Sequence, residues 1–363
     1  MFKAFAAIAF SALVFGAAPA LAGDSPGSCS LESWSDPWDC AAERDSTRLA
    51  AYGLDPIRAV AKPGGFLLRV MFSDDYDRPL PAIIVERLPS GGGRMTVVGL
   101  FNDGPSGSVF MNMAAWTHPR RTVRVATLAS NDMRSLLSEA RGVFESPDQV
   151  ATVEDRSSVC MHPRFATVEV AEGDRWVSRG RNGCDADEVW AFAKKAAEFA
   201  VEHLSPCAAL DPGNPYYRLQ DCLRLTGDRV AAAEVLKALT PRDFQDAAAE
   251  RAYQLELRAP AVRLEWAGEP VVTGREAEMA AWDRLTKDVG NMSEGRFFHT
   301  GGAVFTGISS SEVMVSETVW YLIEKDDSET AISAHASYRW RLGRDHRWRV
   351  EEISVGPFTP TKI

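Results

Sequence analysis

The chain has 363 residues, with 50 acidic against 40 basic side chains and a formal net charge of −10. An acidic surface without basic clusters argues against nucleic acid and anionic membranes as partners. The length suits two domains rather than one.

The N-terminus carries a three-part export signal. Lys3 supplies a positive start, residues 4–18 are apolar apart from Ser11 and Gly16, and Ala20-Leu21-Ala22 forms a small-x-small cleavage site. The apolar run is too short for a permanent membrane helix, and no later stretch is long and apolar enough for one. Residues 1–22 are therefore expected to be a signal peptide, and the mature chain a soluble periplasmic or secreted protein. Loss of Lys3 moves the charge from −10 to −11.

Six cysteines follow the cleavage site, an even number that in an exported chain points to disulfides. Their spacing suggests the sequential pairs Cys29–Cys40, Cys160–Cys184 and Cys207–Cys222. Each would close a local loop worth roughly 2–4 kcal/mol. The rival, a metal held by Cys160 and His162, lacks a Cys-x-x-Cys or a paired His spacing. No metal or other cofactor is expected.

Residues 23–48 are rich in Ser, Asp and Pro and form a leader to the first unit. Residues 66–72 are almost continuously apolar and predict a buried strand. Residues 82–88 and 95–101 predict a hairpin across Gly91-Gly92-Gly93. Those glycines lack the Lys, the Ser/Thr and the helix start of a phosphate loop. A strand over 123–128 precedes a helix from Ser130 with Met133, Leu136, Leu137, Ala140 and Phe144 inward. Three strands follow, over 157–161, 165–170 and 175–179, the last two joined at Glu172-Gly173-Asp174. Asp185-x-x-Glu188 reads as a capping pair for a helix running to Leu204. Residues 23–205 thus predict a disulfide-stapled α+β domain, and the Pro- and Gly-rich residues 206–227 a connector.

The second unit, 228–363, opens with helices over 230–239 and 241–255. A strand ends at Trp266, and Thr273-x-x-Glu276 reads as a capping box for a helix with Ala277, Ala281, Leu285 and Val289 on one stripe. Residues 297–308 hold one strand or two, and 313–325 hold a long one. Residues 329–342 alternate: Ile332, Ala334, Ala336, Tyr338, Trp340 and Leu342 share one face, and Ser333, His335, Ser337, Arg339 and Arg341 the other. In the last strand Trp348 and Val350 are out of phase with Ile353 and Val355, which predicts a bulge at Glu351-Glu352.

This order of elements, with Leu264-Glu265-Trp266, the helix start Val272-Thr273-Gly274-Arg275-Glu276-Ala277 and the closing Arg347-Trp348-Arg349-Val350, resembles the nuclear transport factor 2-like superfamily. That superfamily includes ketosteroid isomerases and SnoaL-like proteins. The resemblance covers about residues 228–360 and implies a curved antiparallel sheet wrapped around helices, with a pocket in the mouth of the cone. It brings no catalytic residues with it, because no motif here aligns with the isomerase carboxylates and tyrosine. The fold class expected overall is α+β: an α+β unit followed by an α+β cone.

Trp282, His299 and Tyr338 are the candidate ligand-binding residues. Glu317 shares a strand face with Val315, Val319, Tyr321 and Ile323. There a carboxylate would have a raised pKa and serve as a base, with solvent or a dimer contact as the alternative. His299 is the second catalytic candidate, and His335 falls on the polar face. In the first unit His118 and His162 lack triad partners. Gly104-Pro105-Ser106-Gly107-Ser108 lacks the strand-to-helix setting of a nucleophile elbow, as do Ser157 and Ser158 near Asp155. The leading expectation is a non-catalytic module that binds a small molecule or a protein, with a homodimer through the C-terminal sheet as one arrangement. The alternative is a lyase, isomerase or hydrolase acting in the cone.

Overall fold

A computed structural model describes residues 49–73, 79–101, 120–147, 164–183, 187–210, 214–240, 246–291, 293–325 and 328–361. The expected signal peptide, the pairs Cys29–Cys40 and Cys160–Cys184, and the strand over 157–161 lie outside these residues. Ser46–Ile363 forms one compact unit of helices and antiparallel sheets, the α+β class expected.

After a short helix α1 (Ile57–Val60), the first sheet is built from β1 (Phe66–Ser73), β2 (Pro79–Arg87), β3 (Gly93–Phe101), β4 (Arg120–Leu128), β5 (Phe165–Glu172) and β6 (Arg175–Asn182). Its order is β4-β3-β2-β1-β5-β6, with every pairing antiparallel. The expected hairpin is β2–β3, and the turn at Gly173 joins β5 to β6.

The unbroken apolar run in β1 has a physical reason, since both faces are covered. Leu68, Val70 and Phe72 belong to the main core, while Met71 packs behind the sheet with Tyr52, Ala82, Ile84, Val98 and Leu100. Helices α2 (Ser130–Glu145) and α3 (Glu188–His203) contribute apolar faces to the main core. In α2 these are Met133, Leu136, Ala140 and Val143, with Leu137 and Phe144 only partly buried. The cap of α3 differs from the expected pair: Asp187 accepts the Trp190 amide at 2.9 Å and is paired with Arg181.

Residues 206–227 are folded. Helix α4 (Pro215–Leu223) starts on Pro215, whose fixed φ suits a first helical position. Cys222 of α4 is bonded to Cys207. Strand β7 (Leu225–Gly227) then pairs in parallel with Phe305, Thr306 and Gly307 of the second sheet. Asp228 caps α5 (Arg229–Leu239) through the amides of Val230 and Ala231. Helix α6 spans Ala247–Glu256.

The second sheet contains β8 (Arg258–Trp266), β9 (Val272–Thr273), β10 (Val289–Gly290), β11 (Glu294–Ser309), β12 (Glu312–Lys325), β13 (Ser328–Leu342), β14 (Trp348–Val355) and β15 (Thr359–Thr361). The order is β10-β11-β12-β13-β14-β8-β9, with β15 beside β13. Residues 297–308 are part of one strand, β11, bulged between Gly301 and Val304. The expected bulge in β14 is present: Arg339 pairs with Glu352 and Trp340 with Val350, so Glu351 is the extra residue.

Helix α7 (Arg275–Leu285) corrects two expectations. Its N-cap is Gly274, at φ +101°, with no side-chain cap, and Thr273 belongs to β9. Its buried residues are Glu278, Met279 and Ala281, while Ala277 and Val289 are exposed. One core runs from Phe66 in β1 to Val355 in β14 and takes in residues of both sheets.

Candidate functional site on the inner face of the second sheet

The inner face of the second sheet is set by strand alternation. On β12, Val313, Val315, Val319 and Tyr321 are buried, and Glu317 occupies the middle of that series. On β13 the inward series is Ile332, Ala334, Ala336, Tyr338 and Trp340, as the alternation predicts. Glu317 sits opposite Ala336, and Val315 opposite Tyr338, so Glu317 and Tyr338 are diagonal neighbours on one face. The Tyr338 hydroxyl donates to Glu317 Oε1 at 2.6 Å.

The bulge in β11 faces this pair. Gly301 pairs with Thr318 and Val304 with Ser316, leaving Gly302 and Ala303 against Glu317 alone. Gly302 has φ +68°, a left-handed conformation that glycine adopts without strain.

Burial governs the protonation of both groups. It pushes the Glu317 carboxyl up from its ordinary value, against the opposing pull of the Tyr338 hydrogen bond and of Arg224. Burial also holds the Tyr338 phenol well above its ordinary value, and the adjacent Glu317 charge adds to this. Tyr338 is therefore a neutral donor at physiological pH. Glu317 keeps its proton to higher pH than an ordinary glutamate does.

A second polar pair lies in the same interior. Glu278 on α7 is fully buried, and Arg258 at the start of β8 donates to both of its oxygens. Arg258 Nη1 also donates to the Gln254 carbonyl at 2.8 Å. Burial raises the Glu278 pKa, and Arg258 opposes the rise.

Aromatic rings line the rest. Trp282 lies 6.1 Å from Tyr338, 5.5 Å from Trp266 and 6.0 Å from Phe298, centroid to centroid. Phe358 stacks on Trp266 at 5.8 Å and meets Tyr321 at 5.1 Å. These are the separations of favourable aromatic pairs. Trp282, Phe298, Tyr338 and Phe358 face this interior, and each is only half-buried.

The structure thus brings Trp282, Tyr338 and Glu317 together, and His299 is not with them. His299 pairs with Trp320 across β11–β12 and stacks on that ring at 5.7 Å. The inward positions of the same two strands are Phe298 and Tyr321, whose rings meet at 5.3 Å. His299 therefore points to the opposite face of the sheet, and the place expected of it as the polar group of the interior is taken by Glu317. His335 is exposed, as expected of the polar face. Sequence reasoning missed Glu278, Arg258 and Arg224. A signal for Glu278 existed: it precedes Ala281 by three residues, Trp282 by four and Leu285 by seven, the spacing of one helix face.

Comparison with known proteins adds the following. No protein-family profile and no curated protein matches the chain. Among solved structures, a hexachlorocyclohexane dehydrochlorinase (LinA type 2) shares 14% identity with a TM-score of 0.24, over 31% of this chain and 75% of its own. ActVI-ORFA from Streptomyces coelicolor shares 11% at 0.23, over 29% and 79%. An NTF2-like protein with a cystatin-like fold from Novosphingobium aromaticivorans shares 13% at 0.21, over 28% and 64%. The structural neighbours are thus NTF2-like and SnoaL-like proteins, each matched over about three-tenths of this chain. Among the described residues, no helix is long and apolar enough to cross a membrane.

Proposed function

We propose that the chain is an exported protein whose residues 228–361 form a nuclear transport factor 2-like cone, and that this cone binds a small organic molecule. One observation carries the reading. The Glu317–Tyr338 pair sits on the inner sheet face among aromatic rings that face inward and still keep part of their surface exposed. A concave aromatic surface with a few convergent polar groups is the usual make-up of a small-molecule site. Export rests on the Lys3 to Ala22 signal. N-terminal sequencing of protein recovered from the periplasm should start at Gly23, and recovery of uncleaved protein from the cytoplasm would count against it.

The binding reading is tested by mass spectrometry of natively purified protein, followed by a thermal-shift screen of small metabolites. Compounds that raise the melting temperature should lose that effect with Tyr338→Phe or Trp282→Phe, which remove the hydroxyl donor and the indole from the aromatic face. Hits that survive both changes would place the ligand elsewhere.

The raised carboxyl pKa supports a second reading, a lyase, isomerase or hydrolase in which Glu317 moves a proton. Under that reading the hits are converted on incubation. Product formation then disappears with Glu317→Gln while binding persists.

A further inference from the structure

The Glu317 end of the cone adjoins the first sheet, and two arginines meet there. Arg224 closes α4, and Arg120 opens β4. Both guanidinium groups lie over the ring of Phe101, the last residue of β3, at 5.4 and 5.2 Å from its centroid. Arg120 also donates to the Gly302 carbonyl at 3.1 Å, which ties it to the bulge opposite Glu317.

The Arg224 guanidinium, largely withdrawn from water, needs a counter-charge. For Arg224 the described candidates are Asp221 at 3.6 Å and Glu317. The first is an ion pair too long for a hydrogen bond. The second already accepts from Tyr338 through Oε1. Arg224 Nε is buried with no hydrogen-bond partner. The Arg224 side chain nevertheless keeps 28% of its surface, enough for a ligand to reach it. Burial chiefly lowers the Arg224 pKa, against the pull of Asp221 and Glu317 and with a smaller contribution from Arg120.

We propose that Arg224, with Arg120 beside it, is the anion subsite of the cone and holds the carboxylate of a small organic acid. This deepens the binding reading above and rests on it. The planar guanidinium fork matches a carboxylate through two parallel hydrogen bonds. The apolar body of the acid would extend toward the half-buried Tyr338 and Trp282 rings, which lie 6.1 Å apart. Among the described residues, Arg224 is the charged group that acts on Glu317, and Tyr338 is its hydrogen-bond donor. An incoming anion competes with Glu317 for Arg224, so removing the Glu317 charge should tighten binding.

The test is a side-chain NMR titration of the full mature chain, following arginine Nε–Hε signals, with Arg224 assigned by its loss in Arg224→Lys. Benzoate is the probe, benzyl alcohol its neutral counterpart and sodium sulfate the control for non-specific anion effects. Benzoate should move the Arg224 signal saturably, and at least tenfold more tightly than sulfate. Glu317→Gln should tighten benzoate binding severalfold. Arg224→Gln should weaken it at least tenfold without changing tryptophan quenching by benzyl alcohol. The wild-type titration decides the matter even if Arg224→Gln does not fold. If benzyl alcohol perturbs Trp282 while benzoate binds no better and leaves Arg224 unmoved, the anion subsite is wrong and the cone reading stands. If sulfate shifts Arg224 as strongly as benzoate, the cluster holds an adventitious ion only, and the proposal falls. If neither organic probe perturbs a cone resonance, both readings fall.

Discussion

Glu317 ties the chemistry of the site to its stability. Its pKa in the folded chain lies above the ordinary 4.5 because burial disfavours the charge. The folded state therefore keeps this proton to higher pH than the unfolded state does. The resulting contribution is present below the unfolded pKa and is lost as pH rises through the folded one. Each tenfold change in that protonation equilibrium corresponds to about 1.4 kcal/mol. Glu317→Gln keeps an acceptor for Tyr338 and removes the charge. Wild type and variant should melt at similar temperatures near pH 4, and the variant should melt higher at neutral pH, as read by circular dichroism across a pH series. A variant that melts lower at neutral pH would mean that the Glu317–Arg224 attraction outweighs burial. Tyr338→Phe should act in the opposite direction. Loss of a hydrogen bond to a charged acceptor costs about 1.5–3 kcal/mol, and the carboxyl pKa rises further.

The Glu278–Arg258 pair makes a different prediction. Glu278 has no exposed surface, so Arg258→Met strands a buried carboxylate and should cost about 3–5 kcal/mol in denaturant titrations. Arg258→Met combined with Glu278→Met should recover most of that loss, because removing both partners also removes the desolvation they impose. Equal losses in the single and double variants would show that the pair matters through packing instead. The two pairs also show what was legible residue by residue. Tyr338 could be placed from strand alternation, since period two sets its face, whereas both faces of the Glu317 strand are apolar and left solvent or a dimer contact open. His299 obeys the same rule, but its strand begins in the irregular stretch after Val289, so its phase was not fixed. Glu278 was hidden by its charge, because a search for apolar periodicity skips the one polar residue that a partner on another strand allows inside.

At the scale of elements, β13 and β14 were readable because one face is buried throughout, and even the Glu351 bulge left its mark as a break in phase. The start of α7 was not, because the competing use of Thr273 in a two-residue strand depends on its pairing with Arg263 in β8, which no local capping pattern reveals. The parallel seam between β7 and β11 was likewise invisible, being only three residues long. The reason it forms is the glycine content of both sides. Gly227 has φ +62°, and a Cβ on Gly307 would collide with the Asp228 carbonyl. The Asp228 amide donates to Gly307 O at 2.9 Å. Gly307→Ala should therefore force the seam apart at a cost of about 1–3 kcal/mol. Hydrogen exchange should speed up at the Asp228 amide and leave the β12–β13 ladder unchanged. Unaltered exchange at Asp228 would mean that the seam absorbs the methyl without opening.

At the scale of the molecule, the continuity of the core sets the cooperativity. Leu219 and Leu223 of α4, Leu225 of β7 and Val235 of α5 are fully buried in the same cluster as residues of both sheets. Apolar burial of this kind contributes roughly 1.5–3 kcal/mol per large side chain, so two halves parted at residues 206–227 would each expose several such residues. Residues 46–363 are expected to unfold in one calorimetric transition, with agreement between the calorimetric and van't Hoff enthalpies. The bond between Cys207 and Cys222, 15 residues apart, tightens the same region. Replacing both cysteines with alanine should lower stability by about 3 kcal/mol, the loop-closure entropy that the bond removes from the unfolded chain. The single transition should persist in that variant at a lower temperature. Two resolved transitions, in the wild type or the variant, would instead support separable domains on either side of 206–227. Proteolysis between residues 210 and 214 would then release two folded fragments after reduction.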